Sequence, residues 1–339
     1  QFIWLVKFPQ LALLFLLFVF HLQHRVRITG VAVLFLFGGI SAISIGIIRG
    51  NIVSPGVLTH LFMTVMPPLA ASFGAQVAKL PESLGTPILQ SALRQIFLMS
   101  ALTILLYAYF HYVTGQIAYF GFDSYLPVAA AWYLAERRHG MVALSIVLVL
   151  LSGKRAPLMT MLVTMAVTAW QSGFSLRGTR LIFSGGILIL SATMLWTADR
   201  LDLLYRFDAV FAVDITDTDS LALATGGRSN EIIGFLADRM DAPQLWWTGG
   251  GFGDGYTSLE SAFWEQDSSL KRHYFHLALL TYVMVFGIPF TVILLCYVGV
   301  TLWRLRRQAN HFYVIGALMM FTWSLFGAGM VVDPMFWFF

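Results

Sequence analysis

Apolar runs of roughly 20 residues recur along this sequence, the length a helix rising about 1.5 Å per residue needs to cross a ~30 Å hydrocarbon core. Stretches such as Leu11–Phe20 and Ile146–Leu151 are apolar on every side, not alternately apolar and polar. That excludes a membrane β-barrel and leaves helices, which satisfy every backbone N–H and C=O within their own segment. Composition agrees. Hydrophobic residues make up 58% of the 339 and charged residues 11%, against roughly 45–50% and about 25% in soluble domains.

The runs predict an all-α polytopic membrane protein with about ten spans, near residues 3–22, 29–48, 56–78, 93–113, 118–136, 140–152, 156–173, 180–198, 273–303 and 311–335. Its expected divisions are transmembrane helices over 1–198, a large loop carrying short helices over 199–272, and further transmembrane helices over 273–339. The chain begins at Gln1 and ends in the apolar string Met335–Phe339, so the gene product is expected to extend further at both ends. The single cysteine, Cys296, lies in an apolar run and excludes an intrachain disulfide.

Basic residues cluster between the runs. The segments His24–Arg27, Lys79 to Arg94, Glu136 to His139, Arg177 to Arg180 and Arg304–Arg307 fall on one side when the spans alternate, which marks that side as cytoplasmic. The net charge of +4 is therefore read as a topology signal, with no nucleic-acid partner. The segments around Gly50–Ser54, Thr114–Asp123, Gly153–Ala156 and Asp199–Arg272 then face outward. Of the 17 acidic residues, 13 lie between Asp199 and Asp267, so nearly all carboxylate chemistry is expected in the long loop. Within it, Ser229–Arg239 reads as a helix with Ser229 or Asn230 as N-cap and Ile232, Ile233, Phe235 and Leu236 as its apolar positions. Trp246 and Trp247 suit a membrane interface.

Four groups could carry chemistry. Lys154 and Arg155, in Ser152–Gly153–Lys154–Arg155, are outward cations against the positive-inside trend, and they ask for a phosphate or a lipid headgroup. Arg228 follows two glycines at the start of the loop helix, where guanidinium and backbone N–H groups could meet a phosphate or a surface salt bridge could form. The stretch Gly249–Gly255, with Gly250, Gly253 and Asp254, permits tight turns and close ligand approach, but it is neither a dinucleotide fingerprint nor a P-loop. Lys271, Arg272, His273 and His276 stand at the loop exit, the two histidines three residues apart and expected on one helix face. No metal-binding pattern accompanies them, so no metal or cofactor is assigned. His60, His111, Lys7 and Asp333 are weaker intramembrane candidates.

The order of these pieces resembles the superfamily of O-antigen polymerases and O-antigen ligases, C-type membrane glycosyltransferases that use undecaprenyl-diphosphate-linked glycans. The resemblance rests on Ser152–Arg155 between two spans, Gly227–Arg228 early in the large loop, Gly249–Gly255, and His276 with Leu280 and Gly287 after it, and it covers roughly residues 140 to 300. The family often has Asn after this histidine, where Leu277 stands here and Tyr274 follows His273. In the family the loop faces the periplasm from the bacterial inner membrane, between late spans of about twelve.

The resemblance implies that Arg155 and Arg228, assisted by Lys154 and Arg272, clamp the donor diphosphate. It implies that His276, or His273 in its place, acts as general base or orienting group for the acceptor sugar hydroxyl. Gly250, Gly253 and Asp254 would line the site; Trp246, Trp247, Tyr256, Trp264, Asp254 and Glu265 are candidates to hold sugars. The implied reaction is polymerisation of lipid-linked repeat units without a metal or cofactor, on a lipid-linked donor and acceptor among membrane lipids, with a chain-length regulator protein as partner. A ligase acting on lipid A–core shares the same features. A lipid-linked saccharide flippase is the alternative of another class, and a scaffold whose loop binds partners the third.

Overall fold

In the computed structural model the described residues are 29–54, 56–77, 82–114, 126–136, 138–151, 157–158, 160–163, 228–257, 272, 273, 275 and 277–305, with positions 19, 214, 216, 217, 220 and 225. They are mostly helical. Three helices are long and apolar enough to cross a membrane: α1 (Gly30–Ile48), α2 (Gly56–Val77) and the last described helix (Ala278–Leu305). The spans expected near 3–22, 180–198 and 311–335, most of that near 156–173, and the loop between 199 and 213 lie outside the described residues. The described residues divide between two compact units.

The first unit contains α1, α2, the loop helix α6 (Arg228–Met240) from Asn230 on, the one-turn α7 (Leu245–Thr248) and α8 (Ala278–Leu305). The hydroxyl of Thr29 caps α1 by accepting from the Ala32 N–H at 3.3 Å. Small residues then bring its neighbours close. A Cβ on Gly38 would strike the Phe290 ring, one on Gly39 would come within 2.9 Å of Thr64, and one on Gly46 would run into the backbone of Phe252. In a bilayer, where lipid is as apolar as leucine, such close packing is what holds helices together. Phe35 fills the α1–α8 seam, edge-on to Tyr282, Phe286 and Phe290 at 5.6–6.3 Å. The opposite face of α1, with Leu36, Phe37, Ile40 and Ile47, is exposed, as a lipid-facing surface must be.

The second unit contains α3 (Glu82–Thr114) from Thr86 on, α4 (Leu126–Ala135) and α5 (His139–Leu151). Its core joins Phe97 and Ile104 of α3 to Leu126, Ala129, Tyr133, Val142, Ile146 and Val149, with Met161 behind them. The turn after α4 carries an ion pair between Arg138 and Glu136 at 2.9 Å.

Several expected boundaries move. Helix α3 begins at Glu82, well before the apolar run at 93, because apolarity marks where lipid would begin and not where hydrogen-bonded turns begin. Helix α8 begins at Ala278 instead of 273. Arg272 is held extended by an antiparallel bridge to Tyr256, with N–H···O bonds of 3.0 Å in both directions, and Phe275 N–H donates to Thr281 Oγ1 at 2.9 Å. His273 therefore lies ahead of the helix, and the expectation that it shares a helix face with His276 fails.

In α6 the expected caps Ser229 and Asn230 lie inside the first turn. The hydroxyl of Thr225 accepts the Ser229 N–H at 3.2 Å instead. Its expected apolar positions divide between the two faces. Glu231, Phe235 and Arg239, four residues apart, form the buried face, while Ile233, Leu236 and Met240 are exposed. An exposed apolar stripe over a polar inner face suits a helix lying in a membrane surface.

Candidate functional site

The site lies in the first unit and is built on a broken helix. Pro289 has no N–H for the carbonyl of Val285, and Gly287 takes a left-handed φ of 84° inside α8, so two carbonyls lose their helical donors. The glycine-rich loop supplies them. Gly250 N–H donates to Met284 O at 2.8 Å, and Gly251 N–H to Val285 O at 3.1 Å. On the other side Phe252 N–H donates to Ala42 O of α1 at 2.9 Å. A side chain at Gly251 would strike the backbone of Ala42 and Gly46, so only glycine permits this approach. The Gly249–Gly255 stretch is thus wedged between α1 and the kink of α8.

That wedge orients two histidines. His60 of α2 is fully buried. Its Nδ1 accepts the Gly253 N–H at 2.9 Å, which makes Nε2 the protonated nitrogen, donating to the backbone oxygen of His273 at 2.7 Å. His273 is half-buried, and its Nδ1–H donates to the backbone oxygen of Asp254 at 2.8 Å. Its Nε2 is left as an acceptor, 3.2 Å from the Ser54 hydroxyl in the turn between α1 and α2. One ring anchors the backbone; the other presents a lone pair.

Asp254 supplies the anion that the site's cations need. Its buried carboxylate meets Arg239 Nη2 at 2.6 Å and Arg49 Nη1 at 3.4 Å. Arg239 is itself buried, lies 4.9 Å over the Phe235 ring, and also donates to Met284 O at 3.2 Å. Arg49 differs. Its side chain is 36% exposed and its contacts are long, one to Asp254 and another, also 3.4 Å, to Gly250 O, which Asn51 Nδ2 shares at 3.3 Å. Two guanidinium groups on one carboxylate leave a surplus positive charge, and Arg49 is the member that reaches the surface.

A second ion pair stands beside the first. Glu231, buried, faces Arg272 Nη1 at 3.5 Å. Tyr256 is buried under them and stacks on Phe275 at 4.0 Å, and Phe275 meets Phe235 edge-on at 5.0 Å. Burial, reinforced by the Glu231 carboxylate, pushes the Tyr256 phenol well above its ordinary pKa, so it stays a neutral donor. Trp246 continues this aromatic floor at 5.4 Å from Phe235, while Trp247 is 68% exposed. Among the described residues no three His, Cys, Asp or Glu side chains gather to hold a metal ion.

Of the residues singled out by sequence, His273, Arg272, Gly250, Gly253 and Asp254 come together here. The polar groups of Gly250, Gly253 and Asp254 are engaged within the protein, so these three position the site. Arg228 opens α6 and belongs to the second unit. Lys154, Arg155 and His276 lie outside the described residues, as do Trp264 and Glu265. Sequence reading missed Arg49, Asn51, Ser54, Glu231 and Arg239, and ranked His60 low. Arg49 was findable as one more outward cation in the turn that holds Gly50–Ser54. Nothing local marks Arg239, whose partner is 15 residues away in sequence. No family model, curated protein or solved structure matches the chain.

Proposed function

We propose that this chain is a metal-independent membrane glycosyltransferase that polymerises a surface polysaccharide such as O-antigen. It transfers a growing glycan from undecaprenyl diphosphate to a lipid-linked repeat unit at the periplasmic face of the inner membrane. The observation that carries this reading is the presentation of His273: Nδ1–H is committed to the Asp254 backbone oxygen, and Nε2 is a lone pair at the ends of α1, α2 and α8. A general base must hold one tautomer and expose the other nitrogen to the proton it takes. An acceptor hydroxyl that takes the place of the Ser54 hydroxyl at Nε2 would lose its proton there as the glycosidic bond forms.

Transfer from a lipid diphosphate also needs positive charge where the leaving group develops. Arg49 offers the surplus guanidinium of the described site, and Arg272 a partly exposed one. By the sequence resemblance alone, Arg155 and Arg228 are also donor-binding candidates. The exposed apolar stripe of α6 and the exposed Trp247 support a site near a membrane surface, where a lipid-linked substrate resides.

The test is reconstitution of the full chain in liposomes with undecaprenyl-diphosphate-linked repeat units, read as a ladder of chain lengths. Wild type is expected to give the ladder, and His273→Gln to slow it about 10²–10⁴-fold at equal protein level. A ladder at the wild-type rate from His273→Gln removes the base assignment. Transfer to lipid A–core with no ladder replaces the polymerase by the ligase.

A further inference from the structure

The lone pair of His273 does not face empty space. Ser54 Oγ lies 3.2 Å from Nε2, and the same oxygen accepts the N–H of Gly56, the first residue of the 22-residue helix α2, at 3.2 Å. With one lone pair of Oγ occupied by that N–H, the Ser54 proton is the group available to bond Nε2. The line Ser54 O–H, His273 Nε2, His273 Nδ1–H, Asp254 O sets a hydroxyl, an imidazole lone pair and an orienting acceptor in series. Nucleophilic serines are built this way on unrelated folds, with the histidine held by a third group. A helix N-terminus beside Oγ also favours the alkoxide character that develops as the proton leaves.

The support behind this line is bonded at each end. His60 grips the backbone at both ends of it, through Gly253 and His273, and Asp254 is fixed by Arg239 at 2.6 Å. A side chain at Gly255 would come 2.9 Å from His273 Nδ1, and one at Gly56 would strike the ring, so glycines keep the imidazole's space open. Both Ser54 and His273 retain some solvent exposure. A serine that served only to end a helix would not need a tautomer-locked histidine on its hydroxyl.

We propose that Ser54 is a nucleophile activated by His273, and that the group it takes is the acyl group of a carboxylic ester at the membrane surface. Ser54 Oγ adds to the ester carbonyl carbon while its proton passes to His273 Nε2. The tetrahedral adduct collapses by breaking the bond to the alkoxy oxygen, which leaves as an alcohol with the proton from Nε2. Water, or a second hydroxyl, then gives its proton to Nε2 and attacks acyl-Ser54, restoring the serine and releasing acid or a new ester. No metal, oxidant or reductant enters the balance. This activity does not depend on the glycosyl-transfer reading, although the two would share one imidazole.

The test is labelling of the full chain, in detergent and in liposomes, with a fluorophosphonate probe, followed by peptide mass spectrometry. Wild type is expected to carry one adduct on Ser54, Ser54→Ala none above background, and His273→Gln to react about 10²–10⁴-fold more slowly. Ser54→Cys, which keeps a nucleophile in place, is expected to take a thiol-directed chloroacetamide at Cys far faster than the same variant carrying His273→Gln. Thermal unfolding of each variant separates reactivity from folding. Equal labelling of wild type and Ser54→Ala, or a Ser54→Cys thiol indifferent to His273, overturns the proposal and leaves Ser54 as a helix cap only. A labelled Ser54 in a protein that builds no glycan would sink the polymerase and keep the nucleophile, whereas glycan ladders without labelling would do the reverse.

Discussion

Around Leu126, Ala129, Tyr133, Ile146 and Met161 the described part of the second unit packs an apolar core of side chains. Around Asp254 the first unit buries a carboxylate, one guanidinium and a second partly, the His60 imidazole and the carbonyls freed by a helix kink, all joined by hydrogen bonds. Both units are made of similarly apolar helices, yet they hold by different means. A core of side chains tolerates change in proportion to the volume lost, whereas a polar network fails when one partner leaves another buried and unpaired. The network also fixes directions, as a site for chemistry must, and a dry core does not.

The sharpest break of that contrast is Asp254→Ala. It strands Arg239 inside the first unit and is expected to lower stability by about 4 kcal/mol, read by thermal unfolding in detergent. Asp254→Leu combined with Arg239→Met should be milder than either single change; if the double variant is the worst, the ion pair is not what Asp254 contributes. Next comes Leu126→Ala in the apolar core, at about 3 kcal/mol, with any glycan or acyl chemistry retained in the surviving folded fraction. Loss of chemistry without loss of stability there would contradict the division of labour drawn here.

His60→Phe keeps ring volume but leaves the Gly253 N–H and the His273 carbonyl without partners. A loss of about 2 kcal/mol is expected, together with lower reactivity at His273 in the liposome assay. Unchanged activity would show that His60 does not position the second histidine. The smallest effect belongs to Ile40→Ala on the exposed face of α1, within about 0.5 kcal/mol, and a larger one would mean that this face meets protein rather than lipid.

How much of this was legible beforehand follows from which forces act locally. Helices of membrane-crossing length appear within a residue or two of the spans expected near 29–48 and 56–78, because lipid-length apolar runs leave a backbone no other way to satisfy its own polar groups, whereas the helix at the run near 140–152 has only 13 residues. The outward turn at Gly50–Ser54 and the loop at 249–273 were placed on the same side by charge bias, and in the fold they touch through Arg49, Asn51 and Ser54. The inner face of α6 was only partly legible, since apolar periodicity picks out Phe235 but gives no reason for Glu231 and Arg239 to be buried beside it.

Local sequence is enough to make the chain helical and suited to a membrane, and it marks His273, Arg272 and the glycine-rich stretch as candidates. Tertiary structure alone decided that Pro289 and Gly287 open α8 to that stretch. It decided too that the Asp254 backbone oxygen chooses the tautomer of His273 while His60 holds the His273 backbone, and that Ser54, 219 residues away in sequence, meets the other ring nitrogen. The reason is physical. Helix formation and apolar burial are read from neighbours in the chain, but a hydrogen bond between distant residues exists only once packing has brought a donor and an acceptor to within about 3 Å.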